Sequence, residues 1–147
     1  MNKQYIERLD KLTKMIPDLL NQIDENEFCL KPFPDKWSKK EILGHLIDSA
    51  ANNHQRFIRA QYEDTPTIAY DQNQWNKLNY YTEINSKQII AFWTLYNKHL
   101  LEITKRIPDE NLQKECRSTD KKIYTIEFLM NDYVEHLEYH LHQIVSY

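Results

Sequence analysis

Glycine is almost missing from this chain: of 147 residues, only Gly44 is one. That excludes a Gly-rich phosphate loop, a dinucleotide fingerprint and a Gly-x-Ser-x-Gly nucleophile elbow, each of which needs several glycines at fixed offsets. A succession of tight β-turns is disfavoured as well, which leaves an all-α fold as the expected class. Cysteine is nearly as scarce. Cys29 and Cys116 are far apart and neither has a Cys-x-x-Cys partner, so neither a zinc ribbon nor thioredoxin-like chemistry is indicated, and both read as free thiols of a reducing compartment. No stretch approaches the roughly 18 uninterrupted apolar residues of a membrane span, and Met1-Asn2-Lys3-Gln4-Tyr5 has no apolar signal core, so a cytoplasmic location is expected. A basic footprint is lacking too. The formal net charge is -3 with lysines scattered, which argues against nucleic acid and anionic lipid and leaves a small-molecule substrate or a second copy of the chain, as a homodimer, for partners.

What is present is a set of helical stripes in one domain, residues 1–147, long enough to bury a core without disulfides or a structural metal. Tyr5, Leu9, Leu12, Ile16, Leu19 and Ile23 recur at three- and four-residue steps and predict a first helix over roughly 2–23, with Pro17 expected to kink or break it. Residues 24–37 read as a connector in which Pro32 and Pro34 stop any helix. Ser38 and Glu41 form a capping box, with Trp37 and Ile42 spaced as its hydrophobic staple, and the second helix runs to about Gln61. Its apolar arc is Ile42, Leu43, Leu46, Ile47, Ala50 and Phe57, bordered by a polar row of His45, Ser49, Asn52 and Arg56. Gly44 inside it costs roughly 1 kcal/mol against alanine, which points to a close approach there or to room beside His45, unless it is simply tolerated.

Residues 62–84 make an unusually long crossover, with a short helix expected within 70–78. A link of that length lets the second and third helices run parallel. Its Tyr62, Tyr70, Trp75, Tyr80 and Tyr81 suit either a lid over a pocket or fasteners for the crossover. The third helix is predicted over roughly 86–107, with Ile89, Phe92, Trp93, Tyr96, Leu100, Ile103 and Ile107 as its core stripe. Pro108 ends it, and Asp109–Lys122 reads as a solvated connector. Thr125 caps a fourth helix whose apolar face is Ile126, Leu129, Met130, Tyr133, Leu137 and Ile144.

The chemistry-bearing pattern lies in that last helix. His136 and His140 are four residues apart, so both rings leave one face a turn apart and can grip one ion. His45, at the edge of the second helix's apolar arc, is a candidate third imidazole, and three neutral histidines with an open position suit a catalytic divalent metal. The same spacing also arises on ordinary surface helices, and a histidine on a semi-apolar face is often a satisfied core residue. His142 projects to the opposite side, and His54 and His99 lack an i,i+4 partner histidine, so these three read as structural or solvent-facing. Glu135 and Glu138 look solvent-facing. A His-Glu-x-x-His protease motif is absent because Leu137 stands where its glutamate would be.

Taken together, the capped Trp-Ser-x-x-Glu-Ile-x-x-His at 37–45, the Tyr-Asp-x-x-x-Trp at 70–75 and the His-x-x-x-His at 136–140 resemble the DinB/YfiT-like superfamily, and within it the DinB-2 branch of metal-dependent hydrolases and thiol S-transferases. The resemblance covers essentially the whole chain. It implies a four-helix bundle of up-down-down-up topology and a nickel, zinc or similar divalent ion on three histidines, which map onto His45, His136 and His140. Related members include bacillithiol transferases and mycothiol-dependent isomerases, so a low-molecular-weight thiol is an implied co-substrate. Asp48, Asn52, Arg56, Asp71, Trp75 and Asp132 are candidates for supporting or substrate-binding groups, with an ordinary salt bridge or cap as the alternative for the polar ones. The expected function is a metal-dependent thiol S-transferase or hydrolase acting on a small molecule. The alternative is a non-enzymatic dimeric ligand-binding module with a vestigial or regulatory metal site.

Overall fold

A computed structural model describes residues 3–147; the expected helix start at residue 2 lies outside them. In chain order the elements are α1 (Gln4–Asn21), α2 (Glu25–Cys29), α3 (Lys39–Tyr62), α4 (Gln72–Leu78), α5 (Ser86–Arg106), β1 (Glu115–Arg117), β2 (Ile123–Thr125) and α6 (Ile126–Leu141). The long helices α1, α3, α5 and α6 form a four-helix bundle in which α1 lies mainly on α5, and α3 packs on both α5 and α6. The crossover between α3 and α5 lets them lie side by side in the up-down-down-up order, with α6 antiparallel to α3.

Each long helix buries most of the stripe its periodicity specifies. In α1, Tyr5, Leu9, Leu12 and Ile16 are buried with Leu20, while Leu19 and, just past its end, Ile23 are half-buried; in α3, Leu43, Leu46, Ile47, Ala50 and Phe57 are buried and Ile42 is half-buried. Helix α1 runs through Pro17 without a break. The lost backbone donor is tolerated because Ile16 and Leu20, on either side of the proline, are 0% and 1% exposed and hold the helix to the core. The capping box of α3 is complete: Ser38 Oγ accepts from Glu41 N, and Glu41 Oε1 accepts from Ser38 N, both at 3.1 Å. In α5 the stripe needs one correction, because Phe92 is 49% exposed, while Ile90 and Leu101 are buried in addition to Ile89, Trp93 and Leu100.

Connectors differ most from expectation. Residues 24–37 hold the short α2, whose first turn is capped by Asp24 accepting from Asn26 N and Glu27 N, and which buries Phe28. Within the crossover, α4 is capped by Asp71, whose Oδ1 accepts from Asn73 N and Gln74 N at 3.0 Å. The segment expected to be solvated, 109–122, instead leads into an antiparallel ribbon, β1 against β2 with Cys116 opposite Tyr124, and it buries Leu112 and Cys116 completely. Its turn does without glycine, since Lys121 itself takes the left-handed conformation at φ 68°. The crossover adds to this ribbon: Ile68 N donates to Arg117 O and Arg117 N to Pro66 O, at 3.0 and 2.9 Å. No helix among the described residues is long and apolar enough to cross a membrane.

Candidate metal centre

His45 stands in the second turn of α3, and His136 and His140 in the last two turns of α6. Because the two helices run antiparallel, the start of one meets the end of the other, and the three rings converge. One ligand nitrogen from each lies within 4.8 Å of the other two. His45 Nε2 and His136 Nε2 are 3.1 Å apart, close to the roughly 3.3–3.4 Å that separates two ligands of a tetrahedral ion with bonds of about 2.0–2.1 Å. The ring centroids are 4.6–5.0 Å apart and edge-on to one another.

Electrostatics keep His45 and His136 in the ligating form. Burial, reinforced by the neighbouring His136 and His140, pulls the His45 pKa down to about 3, and burial with His140 beside it lowers His136 to about 4. Both are therefore neutral, with a lone pair to offer, across the physiological range. His140 Nδ1 donates to Gln143 Oε1 at 2.8 Å, which puts the ring proton on Nδ1 and leaves Nε2 free to coordinate. His45 is 1% exposed and its Nδ1 has no hydrogen-bond partner among the described residues. A donor set of three imidazoles fits a divalent ion.

Trp37 was assigned by its spacing only to a hydrophobic staple, yet its ring lies tilted against His45 at 4.9 Å and helps hold that imidazole in place. Gly44 has a related use. A Cβ there would sit 2.2 Å from the Tyr81 ring, so the close approach it permits is that of the crossover. Tyr81, 6% exposed, donates its hydroxyl to Asp48 Oδ1 at 2.5 Å, and Asn79 Nδ2 donates to the same oxygen at 2.9 Å. Burial pushes the Asp48 carboxyl up to about 6 despite those two donors, and its Oδ2 has no partner among the described residues.

A cleft of about 800 Å³ opens beside His136, which lines it with Ser49, Asn53, Arg56, Tyr70 and Thr119 among others; His45 and His140 are not in its lining. Arg56 and Asp132 line it, as does Asp71, although the Asp71 carboxylate is committed to capping α4. Asn52 does not reach it and turns its amide back to the Asp48 carbonyl at 2.9 Å. Trp75 is half-buried behind the wall, its ring 5.7 Å from that of Tyr70. Of the crossover aromatics, Tyr70 lines the cleft and Tyr81 fastens the crossover, whereas Tyr62 and Tyr80 are 72% and 61% exposed. Ser49 and Asn53 continue the row begun by His45 at four-residue steps, a signal the sequence held; Thr119 arrives from the ribbon turn and had none. The other histidines lie elsewhere. His142 is exposed and stacks on Tyr147, and His54 meets Tyr96 Oη at 2.8 Å. Glu135 is exposed; Glu138, expected to face solvent, pairs with Arg8 at 2.7 Å.

Residues 8–144 match the DinB superfamily. The chain belongs to that superfamily. It is 24% identical over 143 residues to a protein of Halalkalibacterium halodurans provisionally named a metal-dependent hydrolase, covering 97% of this chain and 83% of that one. It is 26% identical over 145 residues to Bacillus subtilis YfiT, which bears the same provisional name, covering 97% and 82%. The structure superposes on that of YfiT, noted for its unusual four-helix bundle topology, with a TM-score of 0.86 at 21% identity over the same shares. A mycothiol-dependent maleylpyruvate isomerase superposes with a TM-score of 0.80 at 10% identity, covering 97% of this chain and 60% of that one. At those identities the superpositions show a common fold.

Proposed function

We propose that this protein is a divalent-metal-dependent enzyme that sets a small nucleophile against a substrate held in the cleft, with thiol S-transfer as its reaction. The observation that carries the reading is the convergence of His45, His136 and His140 at the side of a cleft large enough for a small molecule. Zinc or nickel held by those nitrogens would supply Lewis acidity and lower the pKa of a coordinated thiol or water, so that the nucleophile persists at neutral pH. The protein's own groups position it. Gln143 fixes the tautomer of His140, Trp37 braces His45, and Ser49, Asn53 and Arg56 of α3 line the cleft that would hold the substrate. Among the described residues no carboxylate joins the three-histidine group, and a coordinated thiol needs no base to remain ionised. The mycothiol dependence of the isomerase with this fold supports the same choice.

Hydrolysis is the second reading, favoured by one observation besides the names of the relatives. Asp132 lies one turn before His136 and lines the cleft, and burial, with the Glu135 charge adding to it, raises its pKa. A carboxyl so placed is a candidate general base.

The test compares His136→Ala with His142→Ala, two histidines of one segment that differ in direction. Losing the His136 ligand should lower metal affinity about tenfold or more and abolish turnover; losing His142 should leave both unchanged. Bound metal would be assayed together with turnover against electrophiles, with and without biological thiols. Thiol-dependent turnover supports S-transfer, and thiol-independent turnover supports hydrolysis. Equal loss from the two variants, or full metal loading without turnover on either arm, would overturn the proposal.

A further inference from the structure

Arg56 carries a buried charge with no carboxylate in contact among the described residues; Asp132 and Asp120 act on it only at longer range. It is 6% exposed, and no carboxylate lies within 4.0 Å of it among the described residues, whereas Arg8, Arg59 and Arg106 pair with Glu138, Glu63 and Glu102. Neutral acceptors hold it instead. Nε and Nη2 donate to Ile68 O at 3.2 and 2.9 Å, Nη1 donates to Asn53 Oδ1 at 3.3 Å, and Nη2 donates to Thr119 Oγ1 at 3.3 Å. The guanidinium carbon lies 6.0 Å from the Tyr70 ring centre. These contacts orient the guanidinium without cancelling its charge.

The two edges of the fork are used differently. The edge formed by Nε and Nη2 is committed to the Ile68 carbonyl. The edge formed by Nη1 and Nη2 has only the two long contacts to Asn53 and Thr119, and one Nη1 hydrogen has no protein acceptor among the described residues. A carboxylate outcompetes such neutral acceptors, because charge-assisted bonds are roughly twice as strong and the fork matches two oxygens at once. Burying an unpaired cation is costly, and desolvation pulls the Arg56 pKa down; an incoming anion relieves that cost. Of the two acids in the same lining, Asp71 spends its Oδ1 on the α4 cap, and Asp132 acts on Arg56 only from beyond ion-pair distance.

We infer that the cleft binds a small organic carboxylate, its anionic end paired with the Nη1–Nη2 edge of Arg56 and its body directed toward His136. As a statement about substrate, this rests on the reading of the three histidines as a metal site; as a statement about binding, it can be measured without metal.

The probes are benzoate and benzamide, which share a ring and differ in charge. Each would be titrated into the metal-loaded and the metal-free protein, following the Arg56 Nε–H resonance and the dissociation constant. In both states benzoate should bind about tenfold or more tightly than benzamide and shift that resonance. Arg56→Gln should abolish the preference while leaving benzamide binding, helical content and bound metal unchanged. Equal affinity of the two probes for the wild-type protein would overturn the inference, and that comparison requires no variant to fold. A benzoate preference that appears only with metal present, or that survives Arg56→Gln, would overturn it too by assigning the anion to the ion or to another group. Failure of the metal reading is seen separately, as a protein that binds no divalent ion and yet prefers benzoate through Arg56.

Discussion

His45 is 1% exposed and faces two other imidazoles, so protonating it in the folded protein places a charge in a dry site beside like groups. The consequence for stability is directional. In the metal-free protein His45 and His136 have pKa values near 3 and 4, while in the unfolded chain each takes up a proton near pH 6.5. Between those values the unfolded state binds more protons, so these groups make stability fall as pH drops from about 6.5 toward 4. Asp48 acts in the opposite sense. Raised to about 6, it is protonated in the folded state while its unfolded counterpart is still ionised, so its contribution falls as pH rises from about 4 to 6. Two imidazoles against one carboxyl leave a net rise of stability with pH, at most about 1.4 kcal/mol per pH unit for one net proton. Urea unfolding of the chelated protein between pH 4.5 and 6.5 would measure it. His45→Gln should flatten the slope and Asp48→Asn should steepen it; a flat wild-type profile would contradict the burial argument.

At the scale of elements, Gly44 is where α3 and the crossover touch. Alanine there improves helix propensity by about 1 kcal/mol, but its Cβ would lie 2.2–2.6 Å from three atoms of the Tyr81 ring. That ring is buried and tethered through its hydroxyl to Asp48, so it yields only by giving up the hydrogen bond. Gly44→Ala should therefore destabilise by about 1–3 kcal/mol, seen as a lower urea midpoint with an unchanged m-value. Stabilisation by the propensity increment would show that the contact is loose. The long helices and the caps at Ser38 and Thr125 were legible because 3.6-residue periodicity and capping chemistry are local. The ribbon was not. Its strands are three residues each, too short to show alternation, and Lys121 makes the turn where glycine was the expected signal. Phe92 matched the stripe of α5 and still faces solvent, because periodicity marks an arc of the helix and the neighbours decide how wide the buried part of it is.

For the whole molecule, the core spans all four long helices and runs independently of the three histidines, through residues as large as Trp93, Phe57 and Met130 at 0–1% exposure. Chelation should accordingly leave the helical circular dichroism intact while lowering the melting temperature by several degrees, since an ion at a hundred times its dissociation constant stabilises by about 2.7 kcal/mol. Collapse of helicity on chelation would mark the site as structural. By itself the sequence determined the four apolar stripes, the start of α3 and the pairing of His136 with His140 on one face, because each depends on residues within a few turns of one another. Tertiary structure alone decided that Arg56 meets Ile68 and Thr119, and which polar side chains line the cleft. Those outcomes depend on how the crossover and the ribbon pack against α3 and α6, and residues separated by up to 63 positions come into contact there, beyond the reach of any local pattern.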